Sequence, residues 1–335
     1  PDFSNSGIVS IITEVYAGLD KTRDLTLNDL DDDELYDFMA NVESSIIHYG
    51  SSTGFFAQRM FQNGPSYLSA AVMYENLIVA QETKRIAGEV AQIPVVAIYP
   101  KEGTFWTNNP YVILNAEWVT AEEKEAAEDF EAFLLAKEQQ RSAIELGFRP
   151  ADPSIQLTSP LNAQHGVNPQ QPQTVLEVPD AEVIQGIVSL WRETKKPVDV
   201  SVVLDISGSM SGEKISAARA SLVDFIDLFQ DRDRMQVIVF SNEIIEMSPL
   251  SPLESKREDL KQRVSGVIER GGTMLYDATD RAYNDLLENG NPDHIRAVVV
   301  LTDGADTDST MSLNQLLSEI GAHEEEGGNA IKVFT

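Results

Sequence analysis

The chain has 335 residues, enough for two or three domains and a sizeable core, and its 25 basic against 54 acidic residues leave a net charge of -29. Such acidity excludes recognition of a nucleic-acid backbone and works against binding to an anionic membrane surface. The absence of cysteine excludes disulfides, thiol catalysis, iron–sulfur clusters and Cys-ligated zinc. The longest apolar runs, such as Ala297 to Leu301, are the size of a strand rather than of a membrane span.

From the N-terminus, Ile8, Ile11, Ile12, Val15, Tyr16 and Leu19 recur at helical spacing behind Ser4-Asn5-Ser6-Gly7, which predicts a helix with a buried stripe. A second helix is expected over Asp31 to Ser44, its acidic opening complementing the helix dipole. Ile93 to Tyr99 reads as a strand broken by Pro100 and Gly103. Thr120 and Glu123 form a capping box for a helix carrying Ala127, Phe130, Phe133 and Leu134, and further helix stops at Gly147. Between Arg149 and Pro179 six prolines interrupt a Gln-, Asn- and Ser-containing stretch, a semi-extended connector with Leu157, Leu161, Val175 and Leu176 as its apolar grip. Val183, Ile187, Leu190 and Trp191 mark a helix at its end.

Beyond the connector, strand and helix alternate. Strands are predicted at Val198 to Leu204, Met235 to Phe240, a short edge segment Ile244 to Met247, Ile295 to Leu301 and Ala330 to Thr335. Helices are predicted around Ile215 to Phe229, Lys256 to Glu269, Leu275 to Leu287 and from Ser312 onward. Strands rich in Val, Ile and Leu, each followed by a helix, indicate an α/β, doubly wound, mainly parallel sheet covered on both faces.

The chemistry concentrates at the carboxyl ends of those strands. Asp205, Ser207 and Ser209 alternate on the loop leaving the first strand, Thr273 follows Gly271-Gly272 before a helix, and Asp303 follows the strand ending at Leu301. Two carboxylates and three hydroxyls are hard oxygen donors, suited to magnesium, manganese or calcium, and too few to saturate the ion. No catalytic constellation is found: His48, His165, His294 and His323 are scattered singly, and Gly208 to Lys214 fails the spacing of a phosphate loop.

Asp205-x-Ser207-x-Ser209, Thr273 and Asp303, in this order and spacing, resemble the metal-ion-dependent adhesion site of von Willebrand factor type A domains. The resemblance covers 197–335 and implies that Ser207, Ser209 and Thr273 ligate Mg2+ (or Mn2+ or Ca2+) through hydroxyls, with Asp205 and Asp303 acting largely through water. It implies further that a partner protein supplies an acidic side chain to the vacant coordination position. Ser4-Asn5-Ser6-Gly7, Tyr49-Gly50-Ser51-Ser52, Ala71 to Glu75, Tyr99 to Thr104 and Gly147 to Pro150 are similar to segments of bacterial solute-binding proteins of periplasmic-binding type II fold. In that comparison Ser4, Ser6, Gly7, Tyr74, Glu75 and Thr104 are candidates for holding an anionic or polar solute. The amides of Gly7 and Ile8 would be free donors at a helix N-terminus, or Ser4 is a plain N-cap.

The expected organisation is therefore a partial solute-binding-like domain at 1–152, a Pro-rich connector and helix at 153–196, and a type A domain at 197–335, read as truncated at its C-terminus. The expected function is that of a bacterial cell-surface or periplasmic binding protein, membrane-anchored in its full-length form and not an enzyme, acting through protein–protein adhesion. The alternatives are a solute-capturing component of a transport system and an assembly factor working with a ring ATPase.

Overall fold

A computed structural model describes residues 4–50, 52–90, 93–324 and 331–335. The chain divides into two compact units, one made of residues 1–42 and 48–194, the other of 43–47 and 195–335.

The first unit is helical. It contains α1 (Asn5–Gly18), α2 (Asp33–Ser45, its last residues grouping with the second unit), α3 (Thr53–Asn63), α4 (Glu75–Ile86), α5 (Ala121–Leu135), α6 (Lys137–Glu145) and α7 (Ala181–Thr194). Ile11, Ile12, Val15 and Tyr16 of α1 pack with Leu35 and Met39 of α2 and with Val183, Ile187, Leu190 and Trp191 of α7. The Tyr16 hydroxyl closes this core by donating to the Glu177 carbonyl at 2.9 Å. A second cluster joins Ile78 and Val79 of α4 to Ile144, Leu161 and Val167. The stretch 153–196, read from sequence as a connector and helix, contributes Leu161, Leu176 and α7 to the interior of this unit.

One expectation for the elements of this unit needs correction. Ile93 to Tyr99 is extended but joins no sheet, because a strand needs a partner ladder and this one has only isolated bonds. Ala97 N–H donates to the Gly166 carbonyl at 2.7 Å and Val95 N–H to the Glu82 carboxylate at 2.8 Å, while Val96 and Ile98 face outward. The α5 capping box forms as read, with Glu123 N–H on Thr120 Oγ1 at 3.2 Å, yet Phe130 and Phe133 are exposed and stack on each other with ring centroids 6.0 Å apart.

The second unit alternates strand and helix: β1 (Val198–Asp205), α8 (Glu213–Asp227), β2 (Arg234–Phe240), β3 (Ile244–Pro252), α9 (Arg257–Ser265), α10 (Leu275–Asn289), β4 (Ile295–Leu301), α11 (Leu313–Glu324) and β5 (Lys332–Phe334). The sheet order is β3-β2-β1-β4-β5, parallel except for β3, which runs antiparallel to β2. Alternation sorts the faces. Val200, Val202 and Leu204 with Met235, Val237 and Val239 meet Ile215, Leu222 and Ile226 of α8 and Leu260 and Val264 of α9. Val203, Ile238, Phe240, Val298 and Val300 meet Ala278, Ala282, Tyr283 and Leu286 of α10.

On the α10 side the face turns polar toward the amino end of β1. Ser201 Oγ donates to Gln236 Oε1 at 2.7 Å, and Gln236 Nε2 to Asp285 at 2.8 Å. Asp199, fully buried, accepts from Arg234 Nε at 2.8 Å and from Arg234 Nη2. It also accepts from Asn291 N–H at 2.7 Å, and His294 Nδ1 lies 2.8 Å away. At the β3 edge, Lys256 Nζ donates to the carbonyls of Met235 at 2.8 Å and Pro249 at 2.9 Å, pinning a register shift between β2 and β3.

Candidate functional site

Because β2 follows β1 on one side and β4 lies on the other, the strand order changes direction between β1 and β4, where an open α/β sheet leaves a crevice at its carboxyl end. Asp205 is the last residue of β1, and the register pairing Leu204 with Leu301 sets Thr302 and Asp303 beside it. The Asp205 carboxylate is fully buried and held at both oxygens, by Ser207 N–H at 2.7 Å and by the Thr302 hydroxyl at 2.6 Å. This fixes the turn that follows, so that the Ser207 and Ser209 hydroxyls lie 2.9 Å apart and Ser209 Oγ donates to Asp303 Oδ1 at 2.9 Å.

Thr273 enters from a third loop. Gly208 N–H donates to the Gly271 carbonyl at 3.0 Å and Arg270 N–H to the Ile206 carbonyl at 2.6 Å, lacing that loop to the serine turn. Gly271 has φ +75°, a conformation that favours glycine, and a Cβ at Gly272 would stand 1.7 Å from Asp308 Oδ2, so any larger residue there must push the Asp308 carboxylate aside. The Thr273 amide donates to Asp308 Oδ2 at 2.8 Å and its carbonyl accepts from Thr307 and Asp308, so it is the backbone of Thr273 that is tied down. The structure thus brings Asp205, Ser207, Ser209 and Asp303 into one hydrogen-bonded group and ties the Thr273 loop to it.

Four contributors escaped the sequence reading. Thr302 holds Asp205, a role visible only from the β1–β4 register. Asp306 accepts from the first amide of α10, Leu275 N–H, at 2.8 Å, and Asp308 supports Thr273. Lys214, on α8, donates to Asp303 Oδ2. Lys214 foremost, helped by the Ser209 hydroxyl, holds the Asp303 carboxyl below its ordinary range. Among the described residues no three His, Asp or Glu side chains gather to hold a metal, so a cation here would depend on the hydroxyl oxygens. The donor set is all oxygen, with Ser207 and Thr273 buried in the crevice floor, and it fits a hard divalent ion.

In the first unit the candidates separate into two groups. Ser4 Oγ lies 3.4 Å from Ser6 Oγ, Ser6 contacts Thr53 Oγ1, and Asn5 Nδ2 donates to the Tyr74 hydroxyl at 3.2 Å, so residues at the starts of α1, α3 and α4 converge. Asn5 lies in the Ser4-to-Gly7 segment singled out in the sequence but was not among the candidates, and Thr53 was missed because nothing local marks it. The amides of Gly7 and Ile8 are not free: they donate to Ser4 Oγ at 3.1 Å and to the Ser4 carbonyl at 3.0 Å, the plain N-cap arrangement. Tyr74 and Glu75 open a helix rather than end a strand. Glu75 is engaged by Arg149 Nε at 2.7 Å and Nη2 at 2.9 Å and by the Tyr99 hydroxyl, whose pKa burial and Glu75 push up to about 12. Arg149 also lies 5.1 Å from the Trp106 ring centroid. Thr104 is used through its backbone, in a bridge to Val175.

The chain thus joins a doubly wound domain with an oxygen-lined crevice at its strand ends to a helical unit whose helix starts gather hydroxyls. Residues 199–329 match the von Willebrand factor type A domain family, and residues 3–168 match the family described as bacterial extracellular solute-binding protein. Among curated relatives, inter-alpha-trypsin inhibitor heavy chain H4 of Homo sapiens is 34% identical over 122 residues, 34% of this chain and 13% of that protein. The chain therefore spans only a small part of such relatives. Among solved structures, the von Willebrand factor type A protein from Catenulispora acidiphila is 22% identical with a TM-score of 0.35, covering 41% of this chain and 32% of that one. The pilus adhesin SpaC from Lactobacillus rhamnosus GG, in its open conformation, is 24% identical with a TM-score of 0.30, covering 33% and 15%. Both matched families are ones of binding proteins, and among the described residues no helix is long and apolar enough to cross a membrane.

Proposed function

We propose that this protein is a bacterial extracellular or periplasmic interaction protein whose type A domain holds Mg2+, or Mn2+ or Ca2+, and engages an acidic side chain of a protein partner. It carries out no catalysis, and its full-length form is anchored to a membrane. The observation that carries this reading is the hydrogen-bonded group of Ser207, Ser209 and Asp303 around the buried Asp205. Ser207, Ser209, Thr273, Asp205 and Asp303 would hold the ion, which supplies a Lewis-acidic position for an incoming carboxylate. Asp205 fixes the serine turn, Thr302 fixes Asp205, and the Asp308 contact sets Thr273. The first unit would take a small anionic or polar solute where the starts of α1, α3 and α4 meet, with Ser4, Ser6 and Tyr74 as polar contacts.

Calorimetric titration of Mg2+ into the full chain tests the proposal. Saturable binding that disappears in both Asp205→Ala and Ser209→Ala is the expected result. Binding that survives both substitutions would refute the assignment of the site.

A further inference from the structure

Lys214 is left without a task by the cation reading. It lies in the first turn of α8, where the macrodipole disfavours positive charge, so its position is a local cost to the helix. Gly212, at φ +83°, turns the chain into α8 and aims this residue back over the serine loop. There its ammonium sits on Asp303 Oδ2 while Ser209 occupies Oδ1, so both oxygens of that carboxylate are taken. The Lys214 side chain is 58% exposed and that of Asp303 15%, so the ammonium approaches from the solvent side, the side from which an ion must enter.

We propose that Lys214 is a tethered counter-cation of Asp303 that competes with the divalent ion for the crevice. This rests on the cation reading above and adds to it the residue that sets the affinity. A divalent charge beside Asp303 repels the ammonium and weakens its hold on Oδ2, so loading the ion swings Lys214 out toward solvent. Removing the charge of Lys214 then tightens metal binding, and keeping the charge on a different head group does not.

The test is calorimetric titration of Mg2+ and Mn2+ into the protein and its Lys214→Gln and Lys214→Arg variants at one ionic strength, with circular dichroism melts as the folding check. Lys214→Gln is expected to bind Mg2+ roughly tenfold more tightly, the size of effect for removing one charge near a divalent ion in a largely solvated setting. Lys214→Arg should stay near the wild type. Equal or weaker binding by folded Lys214→Gln overturns the competition. Ser209→Ala added to each background separates the two readings: Mg2+ binding that persists there places the ion elsewhere and overturns the site itself. Absence of Mg2+ binding in both wild type and Lys214→Gln overturns both, and binding by Lys214→Gln alone is the strongest support.

Discussion

Replacing Asp199 by alanine should be among the most costly single changes in the second unit. Its carboxylate has no exposed surface and is the common acceptor for Arg234, Asn291 and His294 at the amino end of β1. Removing one member of a buried ion pair costs about 3–5 kcal/mol. Arg234 keeps 24% of its side-chain surface and a second bond, from Nη2 to the Asn289 carbonyl at 3.0 Å, so the low end, about 3 kcal/mol, is expected. That corresponds to a fall of roughly 10 °C in the melting temperature of this unit. All three tryptophans, Trp106, Trp118 and Trp191, belong to the first unit, so far-UV circular dichroism under urea or heat, rather than tryptophan fluorescence, follows the change. Burial opposes ionisation of Asp199, but Arg234, Asn291 and His294 outweigh it and hold the carboxyl below its ordinary value of 3.8. The stabilisation is therefore complete above the ordinary carboxylate range and lost as pH falls through the lower folded value, so wild type and variant should converge in strong acid. A loss below about 1 kcal/mol near neutrality would refute the reasoning.

Other outcomes follow from single contacts. Gly272→Ala should weaken Mg2+ binding severalfold by calorimetry, because the new Cβ displaces Asp308 from the Thr273 amide. Burial and Glu319 push the Asp280 carboxyl up to about 6, so folding costs more as pH rises from about 4 to 6; Asp280→Asn should stabilise the protein by about 1 kcal/mol at pH 7, with the gain vanishing in acid melts. Tyr99, raised to about 12, stabilises the fold below pH 10 and loses that contribution as pH climbs toward 12. Glu75→Gln should move the highest tyrosinate transition seen by ultraviolet absorbance downward, and an unchanged transition would remove Glu75 as a cause.

The central strands were legible because the carboxyl-terminal parts of β1, β2 and β4, Val202 to Leu204, Val237 to Val239 and Val298 to Leu301, are unbroken runs of Val, Ile and Leu, as strands buried on both faces favour. β3 extends to Pro252, past the Met247 at which the sequence reading stopped, since Pro249 and Pro252 look like breakers yet are tolerated on an edge. Ile93 to Tyr99 shows the reverse error: its pattern suits a strand, but pattern says nothing about whether a partner is present. At the crevice, the positions of Asp205, Ser207, Ser209, Thr273 and Asp303 could be read from spacing. Thr302 and Lys214 could not, because one acts through strand register and the other through a fold-back after Gly212, neither of which leaves a local signature.

The blunted rim of β3 decides how the sheet can grow. Two prolines remove amide donors there, and Lys256 already occupies the Pro249 carbonyl of this strand. Edge-to-edge association of one molecule with another is therefore discouraged on that side. A strand added to this sheet, from the same polypeptide or a different one, is therefore better accommodated beyond β5 than beyond β3.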